Sequence, residues 1–139
     1  MKPIYPCLWL ETEAKSAAEF YCSVFPNSKI ISENPMVVMF ELNGTKFMGL
    51  NGNKKFRFNE SASFVIECDD QDEIDHYWNK LTEGGEESMC GWLKDKHGVS
   101  WQVVPKILSQ LMSDPSKSER VISAFLKMKK FDIQTLIKA

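Results

Sequence analysis

The chain has 139 residues, of which 43% are apolar and 26% charged, a size and balance typical of one globular domain with a hydrophobic core. Its formal net charge of −2 lacks the basic excess of proteins that bind nucleic acids or anionic membranes. No apolar run approaches the roughly 20 residues that cross a bilayer, and the N-terminus MKPIYPCLWLETE lacks a signal-peptide pattern. We therefore expect a soluble, cytoplasmic protein that binds neither nucleic acid nor membrane.

The first half of the chain predicts a strand, a helix and three further strands. Residues 4–10 are predicted to form the first strand, and Thr12 is the expected N-cap of the helix that follows. The helix carries an apolar stripe formed by Ala17, Phe20, Tyr21 and Val24. Two more strands are expected at 29–33 and 36–42, and Asn43-Gly44 predicts a hairpin between the second of them and a strand at 45–51.

The second half predicts the same order of elements after a connector at residues 53–60. A strand at 64–68 precedes Asp70 and Glu73, which have the spacing of a capping box. The helix that follows has its apolar stripe at Ile74, Tyr77, Trp78 and Leu81. Gly84-Gly85 is expected at its C-terminal end. Three short strands are predicted at 87–90, 92–94 and 99–104.

A tight turn at Asp95-Lys96-His97-Gly98 leads into the last of these strands. One face of that strand carries Val99, Trp101 and Val103, and the other carries Ser100, Gln102 and Val104. Because a tryptophan side chain favours a core, the face with Ser100 and Gln102 is expected to meet water or a ligand.

The two halves also match residue by residue. The helix stripe of the first half aligns with that of the second, and Gly44, Phe47 and Leu50 align with Gly98, Trp101 and Val104. We therefore predict an α+β fold in which two βαβββ modules form a curved mixed sheet with a cavity, followed by C-terminal helices. The expected single domain over residues 1–139 comprises module one at 1–52, the connector, module two at 61–105 and a helical tail at 106–139.

The tail is rich in helix-forming residues. Residues 107–112 are predicted to form a short helix, and Asp114-Pro115 is the expected start of the next one. That helix would carry its apolar stripe at Val121, Ile122, Phe125 and Met128, and Asp132 is expected to cap a last helix that runs through Leu136. Docking onto the same domain or a partner subunit explains this pattern better than a membrane anchor does.

The four cysteines, Cys7, Cys22, Cys68 and Cys90, are isolated from one another and include no CxxC pair. Reduced, buried thiols are expected. A nucleophilic Cys7 or Cys90 is the alternative, and it would need a neighbouring base or cation that the sequence does not identify.

Ten segments of the chain carry a resemblance to a known family: residues 6–9, 18–21, 25–28, 50–52, 77–78, 84–86, 90–95, 98–105, 128–130 and 132–133. They resemble the vicinal oxygen chelate superfamily, which includes glyoxalases, extradiol dioxygenases and bleomycin or fosfomycin resistance proteins. The chain is most similar to the PhnB-like branch, commonly labelled 3-demethylubiquinone-9 3-methyltransferase. The resemblance spans almost the whole chain, and the closing strand is its most specific part.

In metal-dependent members of the superfamily, four inward-facing strand positions hold His, Gln or Glu ligands, and the resemblance places these positions at Tyr5, Met48, Ser63 and Gln102. Only Gln102 is a credible ligand, because a thioether or a serine hydroxyl does not replace imidazole and carboxylate donors. We therefore predict no metal and no other cofactor. The only adjacent glycine pair, Gly84-Gly85, follows a helix and not a parallel strand, so it does not indicate a nucleotide-type methyl donor.

The remaining hypothesis is a cavity that binds a small, partly apolar molecule without a metal, in a homodimer whose subunits cover the open sheet edges. The predicted cavity residues are Tyr5, Cys7, Trp9, Met48, Ser63, Val65, Glu67, Ser100 and Gln102. The alternative is an enzyme of the same fold, either a metal-independent lyase or isomerase that uses Glu67 or Tyr5, or a methyltransferase. Glu67 is the candidate base, because desolvation would raise the pKa of an inward carboxylate. A purely structural interaction module would have no pocket at all.

Overall fold

The computed structural model describes residues 1–139, which divide into two compact units at residues 1–58 and 59–139. The strands of the first unit lie in the order β1-β4-β3-β2, and β1 runs parallel to β4 while the other pairs are antiparallel. Its elements are β1 (Cys7–Trp9), α1 (Ala14–Val24), β2 (Lys29–Glu33), β3 (Val37–Leu42) and β4 (Thr45–Leu50).

Helix α1 covers one face of this sheet. Tyr21 on the helix and Phe40 on β3 are both fully buried, and their rings stack with centroids 6.2 Å apart. Phe47 on β4 continues the stack, 5.4 Å from Phe40. Strand β3 alternates buried and half-buried residues, because successive side chains point to opposite faces of a sheet.

The hairpin between β3 and β4 is confirmed. Asn43 and Gly44 both have positive φ, 47° and 90°, as the central residues of a type I′ turn require. Leu42 pairs with Thr45 directly across the turn.

Two predicted boundaries in the first unit are wrong. Strand β1 comprises only Cys7–Trp9 and is therefore shorter than the predicted residues 4–10. Pro6, just before it, has no N–H to donate, and only its carbonyl takes part in pairing by accepting a hydrogen bond from Met48 N (2.9 Å). Thr12 does not cap α1. The N-cap is Glu13, which makes no side-chain capping bond, and the Ala14 N–H donates instead to Asn51 Oδ1 (2.9 Å).

The second unit repeats this arrangement, so the two predicted βαβββ modules and the α+β class are confirmed. Its strands lie in the order β5-β8-β7-β6, and β5 runs parallel to β8. The elements are β5 (Phe64–Cys68), α2 (Gln71–Thr82), β6 (Glu86–Glu87), β7 (Trp92–Lys94) and β8 (Ser100–Pro105).

Helix α2 begins and ends as predicted. Asp70 Oδ1 accepts a hydrogen bond from Glu73 N (2.9 Å), and Glu73 Oε2 accepts one from Asp69 N (2.9 Å), which completes a capping box shifted by one residue. Gly84, just beyond the helix, has φ of 74°, the left-handed conformation expected there.

The strand predicted at residues 87–90 is wrong in extent. Strand β6 comprises only Glu86–Glu87, because Cys90 and Gly91 have positive φ, 60° and 80°, and turn the chain into β7.

The turn before β8 is confirmed and is organised by a buried carboxylate. Asp95, 3% exposed, accepts hydrogen bonds at Oδ1 from the N–H groups of His97 (2.8 Å) and Val99 (3.1 Å). Its Oδ2 accepts one from Trp101 Nε1 (2.8 Å). Val99, Trp101 and Val103 are buried beneath α2, as the alternation predicted.

The C-terminal helices are α3 (Ile107–Met112), α4 (Ser118–Phe125) and α5 (Ile133–Lys138). Asp132 caps α5 by accepting a hydrogen bond from Thr135 N (2.9 Å), as predicted. Asp114 does not begin α4, because its carboxylate accepts hydrogen bonds from Ser116 and forms a separate turn. The predicted stripe residue Met128 lies beyond the end of α4.

All four cysteines are free thiols, but only Cys68 is buried, whereas Cys7 is exposed and the other two are half-buried. The expectation of buried thiols is therefore wrong for three of them. None of the helices has the length and apolar content needed to cross a membrane.

Candidate ligand-binding site

Within each unit the helix covers one face of the sheet, and the opposite face carries the predicted cavity residues. In the first unit, strand register places Cys7, Met48 and Met39 in one row across this open face, and Trp9, Leu50 and Val37 in the next. All of them are half-buried except Cys7, which is exposed. This is a mainly apolar surface that contains two thioethers.

Tyr5 and Cys7 lie at the edge of this face. The Tyr5 ring lies beneath Lys46, whose Nζ is 4.5 Å from the ring centroid. Partial burial of the Cys7 thiol raises its pKa. A raised pKa is the opposite of what a nucleophilic cysteine needs, so the site offers no support for that role.

Trp9 serves the packing of the first unit. Its indole Nε1 donates a hydrogen bond to the Asn53 carbonyl (2.6 Å), and its ring meets Phe56 edge-on at a centroid distance of 4.9 Å. A Cβ at Gly52 would lie 2.3 Å from the indole, so the connector reaches Trp9 only because residue 52 is glycine. Trp9 therefore holds the segment after β4 against the open face.

In the second unit, Val65, Gln102 and Trp92 form one row across the open face of the sheet. Gln102 Nε2 donates a hydrogen bond to Ser63 Oγ (3.0 Å), while Val65 is 57% exposed. Glu67 is exposed and lies beside Val104 on the neighbouring strand.

The four positions to which the resemblance assigns metal ligands do not fit a divalent cation here. Tyr5, Met48 and Ser63 offer a phenol, a thioether and a hydroxyl, which leaves the Gln102 carbonyl oxygen as the one usual ligand atom; the Gln102 Nε2 group donates to Ser63 Oγ. The structure also contains no group of three or more His, Cys, Asp and Glu side chains that could hold an ion.

A pocket of about 400 Å³ lies on the open face of the second unit, beside β6 and β7. Ser100 on β8 and Lys94 on β7 are register partners that both line it. Residues 86–90 form a wall, and Glu60 lies at the rim. The side chains most relevant to binding are Glu60, Glu86, Met89, Trp92, Lys94 and Ser100.

The charged side chains of this pocket are coupled. Lys94 Nζ and Glu60 Oε1 form a salt bridge, and the hydrogen bond between them is the main cause of the raised pKa of Lys94 and the lowered pKa of Glu60. The negative charge of Glu86, the register partner of Lys94, raises the Lys94 pKa further. Glu87 accepts a hydrogen bond from Trp78 Nε1 (2.9 Å) and lies 4.0 Å from Lys129 Nζ.

Ser100 is the most buried polar side chain of the pocket. It is 2% exposed, and its Oγ has no hydrogen-bond partner. An unsatisfied buried hydroxyl costs about 1–3 kcal/mol. A ligand atom that bonds to Ser100 would recover part of that cost.

The pocket wall is positioned by the C-terminal segment. The N–H groups of Cys90 and Gly91 donate to the carbonyls of Met128 (2.7 Å) and Lys129 (2.8 Å). A Cβ at Gly91 would lie 2.5 Å from the Phe131 ring, so only glycine allows this close approach.

Of the residues predicted from sequence to line a cavity, Ser100 lines this pocket, and the others lie on or beside the open faces described above. Sequence analysis missed the other side chains named above as most relevant to binding, which are Glu60, Glu86, Met89, Trp92 and Lys94. The alternation around buried Leu93 was an available signal, because it puts Trp92 and Lys94 on the face opposite the core.

A family model described as 3-demethylubiquinone-9 3-methyltransferase matches residues 2–104. Among solved structures, a PhnB protein from Bacillus cereus, named for the same activity, is 32% identical with a TM-score of 0.69, over 75% of this chain and 99% of that chain. No curated protein matches the sequence.

Two more distant structures share the fold. A glyoxalase-related enzyme from Fulvimarina pelagi is 12% identical, with a TM-score of 0.56 over 78% of this chain and 91% of that one. The fosfomycin resistance protein FosX from Listeria monocytogenes is 13% identical, with a TM-score of 0.55 over 74% and 89%.

Proposed function

Because the chain belongs to the PhnB-like 3-demethylubiquinone-9 3-methyltransferase family of the vicinal oxygen chelate superfamily, we propose that it binds a small, partly apolar organic molecule without a metal ion. The single observation that carries this proposal is the pocket beside β6 and β7, which combines Trp92 and Met89 with the unsatisfied hydroxyl of Ser100. Its lining also includes charged residues, among them Glu60, Glu86 and Lys94. Aromatic and thioether surface beside such polar groups suits a molecule that is only partly apolar.

The reaction in the family name is not part of this proposal. A nucleotide-type methyl donor is usually held by a glycine-rich turn after a parallel strand. Here Gly84 and Gly85 end helix α2, and a Cβ at Gly85 would lie 2.1 Å from the Lys94 carbonyl. That glycine therefore serves close packing between the helix end and β7.

The predicted residues outside the pocket remain predictions for further ligand contacts. These are Tyr5, Cys7, Trp9, Met48, Ser63, Val65, Glu67 and Gln102. Glu67 also remains the hypothetical base of an enzymatic alternative. Replacement by Gln removes its charge at nearly constant volume, and loss of turnover with retained ligand affinity would support that role.

We further propose that the protein is a homodimer. Each sheet has two edge strands, β1 and β2 in the first unit and β5 and β6 in the second. Ile31 on β2 is 46% exposed, and Met36 just before β3 is 63% exposed. Unpaired strand edges with apolar side chains favour association with a second chain.

Binding can be tested with tryptophol, a neutral indole alcohol, added to ¹⁵N-labelled protein. We expect shifts in the amide signals of residues 86–102 and in the Trp92 indole N–H. Ser100→Leu, which places a larger side chain in the pocket, should weaken binding by about tenfold or more, equivalent to about 1.4 kcal/mol.

The control is Ser61→Leu, at an exposed position outside the pocket, and it should leave binding unchanged. If the Ser100 variant does not fold, Trp92→Ala, which removes another side chain that lines the pocket, should also weaken tryptophol binding. Absence of shifts in residues 86–102 with tryptophol and also with its cationic analogue tryptamine would overturn the proposal.

A further inference from the structure

We propose that the pocket beside β6 and β7 selects small organic cations, that is, amines joined to an apolar body. This inference rests on the proposed function, since it assigns the chemical class of ligand to the same site.

The first argument is the balance of charge around the pocket. Its lining includes three glutamates, Glu60, Glu86 and Glu87, and a single lysine, Lys94. The Glu87 carboxylate accepts a hydrogen bond from Trp78 on α2, so Glu60 and Glu86 are the acidic groups nearest Lys94. Lys94 is already paired with Glu60, and Lys129 lies 4.0 Å from Glu87. Glu86 interacts with its register partner Lys94 through charge but forms no salt bridge of its own, so its carboxylate can pair with a ligand cation.

The second argument is the hydroxyl of Ser100. Ser100 lines the pocket, is 2% exposed, and its Oγ has no hydrogen-bond partner. A hydroxyl has two acceptor lone pairs. An ammonium group carries up to three N–H donors, and one of them can satisfy Ser100 while another bonds to a carboxylate.

The third argument is the apolar wall. Trp92 presents an indole, the side chain whose face attracts cations most strongly, and Met89 adds a polarizable thioether. These groups would hold the carbon skeleton of an amine and stabilise its charge. A volume of about 400 Å³ is sufficient for a ligand of fragment size.

An anionic ligand is disfavoured by the same residues. To reach Lys94 it would have to displace Glu60 from its salt bridge, and it would still face the charge of Glu86. Repulsion between the anion and the Glu86 carboxylate would weaken binding.

Three probes with the same indole body and different charge test the inference on the full chain. Tryptamine is cationic at neutral pH, tryptophol is neutral and indole-3-propionate is anionic. We expect tryptamine to bind about tenfold more tightly than tryptophol, and indole-3-propionate to bind most weakly. Raising the salt concentration should weaken tryptamine binding and leave tryptophol binding unchanged.

Glu86→Gln should reduce the preference for tryptamine over tryptophol by about threefold to tenfold. Glu83→Gln, at the exposed C-terminal end of α2 and outside the pocket lining, is the matched control and should retain the preference. Urea unfolding of both variants checks that each is folded.

The two proposals fail in different ways. Equal binding of tryptophol and tryptamine, or tighter binding of indole-3-propionate, would keep a small-molecule site and overturn its cation selectivity. If none of the three probes shifts residues 86–102, both proposals are overturned.

Discussion

Asp95 shows how a single side chain organises a turn. Its two oxygens accept three hydrogen bonds, two from the backbone of the turn and one from the Trp101 indole. Because the group is buried, removal of the carboxylate would leave these donors unsatisfied.

We expect Asp95→Ala to lower the free energy of unfolding by about 2–4 kcal/mol. Asp132→Ala, which removes an exposed helix cap, should cost only about 1 kcal/mol. Urea unfolding measures both values. Equal losses in the two variants would contradict the role assigned to Asp95.

The buried thiol of Cys68 makes the stability of the fold depend on pH in the alkaline range. Its pKa is raised from 9.0 to about 12, chiefly by desolvation and then by the charges of Glu73, Asp69 and Asp70. In the unfolded chain the thiol loses its proton near its ordinary pKa, while the folded chain retains it. The unfolded state therefore binds fewer protons over this range, and stability falls as pH rises from about 9 towards 12.

We expect the loss of stability between about pH 8 and pH 11 to be smaller in Cys68→Ala than in the unsubstituted protein. Other groups that titrate in this range are shared by both proteins, so the difference in slope isolates the thiol. Urea unfolding at a series of pH values measures it. Parallel curves would show that Cys68 ionises normally.

At the scale of elements, the first turn of helix α1 is capped by Asn51, which directly follows strand β4. Asn51 Oδ1 accepts the Ala14 N–H, and Asn51 Nδ2 donates to the Pro35 carbonyl (3.0 Å). One amide therefore joins the start of α1 to the loop before β3.

Asn51→Ala should lower the free energy of unfolding by about 1 kcal/mol, within the 0.5–2 kcal/mol typical of a lost cap. Thr12→Ala is the control. It alters the residue that sequence analysis predicted as the cap, and it should change stability by less than about 0.5 kcal/mol. The reverse order of the two losses would contradict the assignment.

Strand β7 is preceded by Gly91, which contacts the C-terminal segment. A Cβ at Gly91 would lie 2.6 Å from the Val103 carbonyl as well as close to Phe131, and its φ of 80° disfavours any other residue. We expect Gly91→Ala to lower the free energy of unfolding by about 2 kcal/mol or more. Gly44→Ala, with positive φ but open space around it, should cost less in the same urea experiment.

Sequence analysis succeeded where the signal is local. Asn43-Gly44 and the spacing of Asp70 and Glu73 contain their own turn and cap chemistry, so the hairpin and the start of α2 were predicted correctly. It failed where contacts with a segment distant in sequence determine the boundary of a helix or strand. The cap of α1 comes from Asn51, and β6 ends early because residues 90–91 bond to the tail.

The same distinction applies to the pocket. Alternation along β8 identified Ser100, since side-chain direction in a strand follows from the local pattern. The position of Glu60 beside Lys94 could not be predicted, because Glu60 precedes β5 and nothing local indicates where it packs. The wall at residues 86–90 likewise depends on contacts with residues 128–131.

At the scale of the whole molecule, the open strand edges lead to a prediction of assembly. We expect light scattering coupled to size-exclusion chromatography to give a mass of twice the 16.0 kDa chain. The mass should fall on dilution if the dimer is weak. A mass of one chain at all concentrations up to about 100 μM would contradict the dimer, since stable homodimers bind more tightly than this.

The bonds from Cys90 and Gly91 to the tail also have a consequence for synthesis on the ribosome. Residues 1–58 emerge first and contain all the strands of their own sheet, so this unit can fold while translation continues. The pocket in the later unit must wait until Phe131 has left the exit tunnel. A nascent chain stalled before that point would hold a finished first sheet and an unfinished binding site.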